Sequence, residues 1–259
     1  MSHKTINTEQ GHWILAKMGK RVLRPGGRLL TNTIIEELKI NSTDNIVEFA
    51  PGIGFTAKLL LNKHPKTYIG IELNEEAAQK LASTIANKSA RKIINTSASE
   101  TSLENAVADK VIGEAMLTMQ ADHRKLEIIQ EAHRILKKGG LYAIHELGLQ
   151  PNEIQEEVKK DIQKSLAKTI RVNARPLTLE EWCDLLKKSG FRIKDVYQSP
   201  MHLLKPQRIV SDEGILRSLK IGFNIMTHPK ERKRIIGMRK IFKKYDKQMT
   251  AYGIIAEKI

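Results

Sequence analysis

With 259 residues, 41% of them hydrophobic and only 5% aromatic, the chain is long enough to bury an aliphatic core as one elaborated domain. No apolar run reaches the ~18 residues of a membrane helix, the opening MSHKTINTEQGHW has no apolar signal core, and a lone Cys183 excludes an intrachain disulfide and a cysteine metal cluster, so a cytoplasmic protein with no membrane span is expected. The net charge of +15 is uneven, with +4 in residues 1–40, zero in 41–150 and +11 in 151–259; the basic flanks either attract anions or are simply soluble lysine-rich helices.

Residues 8–22 and 31–39 read as helices, separated by the turn Arg24-Pro25-Gly26-Gly27. An alternation of strands and helices follows. Strands are expected at Asn45–Phe49, Tyr68–Leu73, Lys92–Thr96, Asp109–Leu117 and Leu141–Leu147, and helices at Thr56–Lys63, Glu75–Asn87 and Arg124–Leu136. Lys137-Lys138-Gly139-Gly140 supplies the cations and glycines that end the last of these. This order implies a Rossmann-like, doubly wound α/β fold with helices on both faces of a mostly parallel sheet. Beyond it, Pro151–Val172 is helical. Thr178 with Glu181 three residues on forms a capping box for a helix to Lys188. Phe191–Tyr197 is a strand, Glu213–Ile225 and Pro229–Tyr245 are basic helices, and Ala251–Lys258 is an edge strand.

Chemistry concentrates where the first strand runs into Ala50-Pro51-Gly52-Ile53-Gly54-Phe55-Thr56. Glycines let a ligand approach the backbone, and open α/β sheets bind ligands beyond the carboxyl ends of their strands. Glu72 closes the second strand, where a carboxylate can accept both hydroxyl protons of a ribose. An adenosine-bearing cofactor follows, and two kinds compete. Gly52-Ile53-Gly54-Phe55-Thr56-Ala57 also fits the dinucleotide fingerprint G-x-G-x-x-A, which would make the protein an NAD(P)-dependent oxidoreductase. Glu48, four residues before Gly52, suits a cationic amino-acid portion better than a pyrophosphate, and a helical extension precedes the first strand.

The stretch VEFAPGIGFTAKLL resembles the first motif of the class I S-adenosylmethionine-dependent methyltransferase superfamily, in its small-molecule branch. GIELN is similar to the second motif, DKVIGEAML to the fourth strand, EAHRILKKGGLYAIHEL to the helix, turn and fifth strand, and TLEEWCDLLKKSGF to the late helix. The likeness covers roughly residues 44–197. Ala50 stands where the family usually has its first glycine, and Ser97 where it often has an acid. The resemblance implies a seven-stranded sheet and S-adenosyl-L-methionine as cofactor, with S-adenosyl-L-homocysteine as product. It further implies that Glu48, Ala50, Pro51, Gly52 and Gly54 surround the methionine end, and that Glu72 binds ribose beside Leu73. Ser97 and Ala98 then line the adenine, and Glu114 and Ala115 border the transferred methyl. Residues 1–40 form an N-terminal helical cap on a methyltransferase domain of residues 41–259, with a basic helical insertion on the substrate side at about 200–250.

Methyl transfer is an in-line displacement, so the protein mainly aligns acceptor and donor. Where a general base is needed, Glu114 and His145 are the catalytic candidates, ahead of Glu146 and His123. On the substrate side, His12 and Trp13 are candidate lid residues, and Arg24, with Arg21 and Arg28, could grip an anion. The histidine spacing gives no metal-binding pattern, and no metal is expected. The acceptor is expected to be a small molecule, an anionic one being compatible with the basic flanks. An RNA or DNA methyltransferase is the alternative, since basic helices can track phosphates. Against it, Glu114-Ala115-Met116-Leu117 replaces the base-flipping signature Asn-Pro-Pro-Tyr after strand four, and aromatics for base stacking are scarce. A catalytically silent cofactor-binding protein is a further option. The oligomeric state is not written in the sequence.

Overall fold

The computed structural model describes residues 10–85 and 90–259. Residues 8–9 and 86–87 of the expected helices lie outside them. In chain order the elements are α1 (Gly11–Lys17), α2 (Gly27–Glu37), β1 (Asn45–Phe49), α3 (Phe55–Leu61), β2 (Thr67–Ile71), α4 (Glu75–Ile85), β3 (Arg91–Ile94) and β4 (Ala108–Glu114). Then come α5 (Asp122–Ile135), β5 (Leu136–Leu149), α6 (Glu156–Ile170), the two-residue β6 (Leu177–Thr178), α7 (Leu179–Lys188) and β7 (Phe191–Pro200). The chain ends with α8 (Pro206–Glu213), α9 (Ile215–Thr227), α10 (Pro229–Lys244) and β8 (Met249–Lys258).

The strands form one sheet in the order β3-β2-β1-β4-β5-β8-β7, with β6 paired to β5. β1 to β5 are parallel, and β8 runs antiparallel to both its neighbours. The expected edge strand at Ala251–Lys258 is therefore interior. Tyr252-Gly253-Ile254-Ile255-Ala256 is buried on both faces, as an interior strand requires. The edge falls to β7, whose Arg192, Asp195 and Val196 reach solvent and blunt it against further pairing.

Two cores sandwich the sheet. On one face Leu30 and Ile34 of α2, Leu60 of α3 and Leu81 of α4 pack on Ile46, Tyr68, Ile112 and Ala143. On the other, Ile129 and Ala132 of α5 and Trp182 and Leu186 of α7 pack on Val47, Val111, Tyr142 and Ile254. Thr178 caps α7 as expected: its hydroxyl accepts from the Glu181 amide, and Glu181 accepts from the Thr178 amide. A third core joins Ile14, Leu15 and Met18 with Ile162 and Leu166 of α6, Ile235 and Met238 of α10, and Leu147, Leu149 and Met249 at the strand ends. So α1 and the helices inserted between β7 and β8 form a roof, whereas α2 lies on the sheet. The short helix α8 is absent from the sequence reading. It opens on Pro206, whose missing N–H costs nothing in a first turn.

Candidate active site

The chain leaves β1 through three left-handed residues, Ala50 (φ 52°), Gly52 (φ 55°) and Gly54 (φ 77°). The Ala50 amide donates to the Ile71 carbonyl at 2.8 Å, which ties the loop to the end of β2. Gly54 is fixed by packing: a Cβ there would lie 2.3 Å from Leu81 Cδ1. Gly52 differs, because among the described residues a Cβ there would meet nothing nearer than the Ala50 carbonyl at 4.0 Å. At Gly52 the loop thus opens onto free space. Ala50 pays for its backbone rather than its size, since a left-handed alanine costs roughly 1–2 kcal/mol.

Glu72 lies beside this opening, nearly buried, and its carboxylate accepts from the Gly52 and Asn74 amides, each at 2.9 Å. Burial raises its pKa, and the amide bonds oppose the rise. Asn95 Nδ2 donates to the Glu72 and Leu73 carbonyls and fixes the turn. Leu73 is 56% exposed and Ile53 42% exposed, so two large apolar side chains flank the opening. Ser97 Oγ lies 2.8 Å from Ser99 Oγ, and Ala98 is buried against the sheet core.

A second group of side chains rises from the same sheet face. Glu48 pairs in register with Ile112, and Glu114 with His145, so these three form a row across β1, β4 and β5. The Tyr68 hydroxyl donates to Glu48 at 2.5 Å. Burial pushes the Glu48 carboxyl up to about 8, against that bond, and the Glu114 charge adds to the rise. Glu114 behaves oppositely. Burial would raise it, but Arg24, then His145 and Thr56, outweigh burial and hold it at about 2. Its Oε1 meets the Thr31 hydroxyl at 2.7 Å and His145 Nδ1 at 2.8 Å; its Oε2 meets Thr56 and, at 3.0 Å, Arg24 Nη1. Carboxylates with pKa values driven apart in this way mark functional sites.

This geometry changes the role expected of two residues. Glu114 is ionised, with both oxygens engaged, and His145 is fully buried between Glu114 and the Pro25 carbonyl, which lies 2.6 Å from Nε2. Both side chains are thus engaged within the protein. Glu146 accepts from the Met116, Leu117 and Thr118 amides and the Thr118 hydroxyl, and so shapes the turn after β4. His123 is exposed at the start of α5.

Arg24 joins the strand ends to the roof. Its guanidinium lies 4.8 Å above the Phe55 ring, and its buried Nε and Nη2 have no hydrogen-bond partner among the described residues. The loop that carries it is clamped by the end of α8. Glu213 Oε1 accepts from the Arg21 and Val22 amides at 2.7 and 2.9 Å, and Asp212 Oδ1 accepts from the Arg28 amide at 2.9 Å. Asp212 thereby caps α2 from outside its own helix. Lys20, buried with both acids, lies 3.6 Å from Asp212 and 3.7 Å from Glu213. His12 and Trp13 lie side by side on α1 with ring centroids 5.2 Å apart and the rings tilted at 47°, and burial lowers His12 to about 4. Among the described residues no hydrogen bond joins that pair to the Glu48–Glu114–His145 row. Thr31, Thr56, Tyr68, Asp212 and Glu213 were not singled out from the sequence. Only Thr56 carried a signal, by ending the glycine loop.

The opening at Gly52, the acid at Glu72 and the apolar Leu73 fit an adenosine whose ribose is held by a carboxylate. Residues 47–144 match the methyltransferase domain family. An uncharacterised protein of Haemophilus influenzae is 34% identical over 221 residues, spanning 84% of this chain and 86% of its own. Among solved structures, the [4+2]-cyclase SpnF superposes with a TM-score of 0.73 at 14% identity, covering 97% of this chain and 93% of that one. Phosphoethanolamine N-methyltransferase 2 of Haemonchus contortus, in complex with S-adenosyl-L-methionine, gives 0.72 at 17% identity, covering 98% of this chain and 58% of that one. The cyclopropane synthase MmaA2 of Mycobacterium tuberculosis gives 0.67 at 13% identity, covering 88% and 82%. Residues 47–144 belong to the methyltransferase domain family, and the fold is that of the class I S-adenosylmethionine-dependent methyltransferases. The nicotinamide reading of the glycine loop falls with that assignment.

Proposed function

We propose that the protein transfers the methyl group of S-adenosylmethionine to a small molecule carrying an anionic group. Glu72 takes the ribose, Leu73 and Ala98 with Ser97 take the adenine, and Gly52 admits the cofactor backbone. Glu48 and Ala50 lie at the methionine end, and Ala115 with Glu114 borders the methyl. The observation that carries the reading is Arg24, whose buried Nε and Nη2 have no partner among the described residues although they sit beside the Glu114 carboxylate. Such a side-on pair of N–H groups matches a carboxylate or phosphate. The roof of α1 and α8–α10 over the strand ends favours a small acceptor over a nucleic-acid strand. Glu114 and His145 act as positioning residues, holding Arg24 and the Pro25 turn, so alignment rather than proton abstraction drives the transfer.

The test is S-adenosylhomocysteine release across a panel of small acids, phosphoesters and their neutral analogues, with wild type and Arg24→Lys. The reading predicts turnover of an anionic acceptor whose KM rises at least about tenfold in the variant, with cofactor affinity unchanged. An equal loss of affinity for S-adenosylmethionine and S-adenosylhomocysteine would instead assign Arg24 to the methionine carboxylate. Turnover of neutral analogues as fast as of acids would overturn the anionic acceptor.

A further inference from the structure

The outer face of α9 is unlike the rest of the surface. Ile215, Leu216, Leu219, Phe223 and Met226 are 66–84% exposed, and their spacing puts them within one arc of roughly 100°. The opposite face is firmly seated: Ile221 is buried, Arg217 Nη1 donates to the Gly19 carbonyl at 3.2 Å, and Asn224 Nδ2 to the Met18 carbonyl at 3.0 Å. The helix is therefore docked by its polar side and turns its apolar side outward. Soluble proteins rarely show a contiguous apolar stripe of this kind without a use for it.

The charge around the stripe selects the occupant. Residues 206–244 hold eleven Lys and Arg against three Asp and Glu. All three acids are spent within the protein. Asp212 and Glu213 are buried against the Lys20–Arg28 loop, and Glu231 pairs with Lys17 at 2.6 Å. What faces outward is basic, with Lys220 on α9 and Lys230, Arg232, Lys233, Arg239 and Lys240 on α10 exposed. A second copy would bring the same cations against these, which disfavours a symmetric dimer. A nucleic acid would use the cations but leave the aliphatic stripe in water. An apolar stripe rimmed by Lys and Arg is the pattern of a helix that lies in a bilayer interface.

We propose that α9 docks this protein on an anionic lipid surface, with the five apolar side chains inserted at the headgroup–acyl boundary and the α10 cations against the headgroups. No helix among the described residues is long and apolar enough to cross a membrane, so the attachment is peripheral. Through Met18 and Gly19 the docked helix bears on the loop that carries Arg24, so docking brings the acceptor side of the site close to the lipid.

The experiment is sedimentation of the full chain with phosphatidylcholine vesicles with and without phosphatidylglycerol, at low and high salt. It is run for wild type and for Leu216→Glu/Phe223→Glu, with sizing chromatography of both. The proposal predicts binding to the phosphatidylglycerol vesicles that weakens with salt and falls at least about tenfold in the double variant. Both proteins stay monomeric and keep the same affinity for S-adenosylmethionine. Failure of wild type to sediment at low salt overturns the proposal, as does binding that the double variant retains. A wild-type dimer that the variant dissolves would assign the stripe to a second copy. None of these readouts uses methyl transfer, so they stand apart from the identity of the acceptor.

Discussion

The donor half and the roof of this molecule are built by different means. In residues 44–147 each functional group sits a few positions from a strand end and is tied to the next strand: Gly52 with Glu72, Glu48 with Tyr68, Glu114 with His145. In the roof the decisive contacts join residues about 190 apart, as Glu213 does with the Arg21 and Val22 amides. The first arrangement is carried by the parallel strand order β2-β1-β4-β5. The second rests on contacts between segments far apart in the chain. The three superposed structures, a cyclase, an N-methyltransferase and a cyclopropane synthase, share the fold and differ in their named chemistry.

The sharpest way to break the roof while sparing the sheet is Asp212→Ala. It strips α2 of its external cap and leaves the buried Lys20 with only Glu213. Removing one partner of a buried charge pair costs about 3 kcal/mol or more, so urea unfolding should show a loss of that size. Loss below about 1 kcal/mol would mean the acids do not hold the loop.

The glycine loop separates packing from binding in one pair of variants. Gly54→Ala drives a methyl into Leu81 at a positive φ and should cost about 2 kcal/mol or more of stability. Gly52→Ala meets open space, so it should cost only the ~1 kcal/mol of its backbone yet still lower cofactor affinity. Equal stability losses with unchanged binding by Gly52→Ala would sink the assignment of that opening.

Much of the donor half was legible because its chemistry is local. β1 is read residue for residue, the capping box at Thr178 and Glu181 forms, and Glu72 stands where the second motif puts it. Three things were not legible. The interior position of β8 depends on where the chain returns after the insertion, and an apolar run reads the same at the edge as in the middle. The engagement of Glu114 and His145 depends on Arg24, Pro25, Thr31 and Thr56, which converge from three separate segments. The cost of Ala50 lies in its φ of 52°, which the residue types of the motif do not display.

A smaller effect is expected from pH. Glu48, held near 8 by burial, carries a proton at neutral pH in the free protein. A cationic cofactor beside it favours the carboxylate, lowers its pKa and expels that proton. Affinity for S-adenosylmethionine should therefore rise as pH increases towards about 8 and level off above it. Calorimetry near pH 7 in buffers of different ionisation enthalpy should register the release of close to one proton. The raised pKa also means that the folded state holds this proton more tightly than the unfolded chain. Its contribution to stability is full below the ordinary carboxylate range and declines as pH rises towards about 8. Glu48→Gln should abolish the proton release; a wild type that releases none would place the cofactor's charge elsewhere.

The proposed donor site turns on Glu72 at the mouth opened by Gly52. Calorimetric titration of wild type and Glu72→Ala with S-adenosylmethionine tests it directly. A carboxylate that binds ribose hydroxyls is worth roughly 1.5–3 kcal/mol, so the variant should bind at least about tenfold more weakly while unfolding like wild type apart from the lost bonds to the Gly52 and Asn74 amides. Unchanged affinity in a folded Glu72→Ala protein would contradict the placement of the donor site.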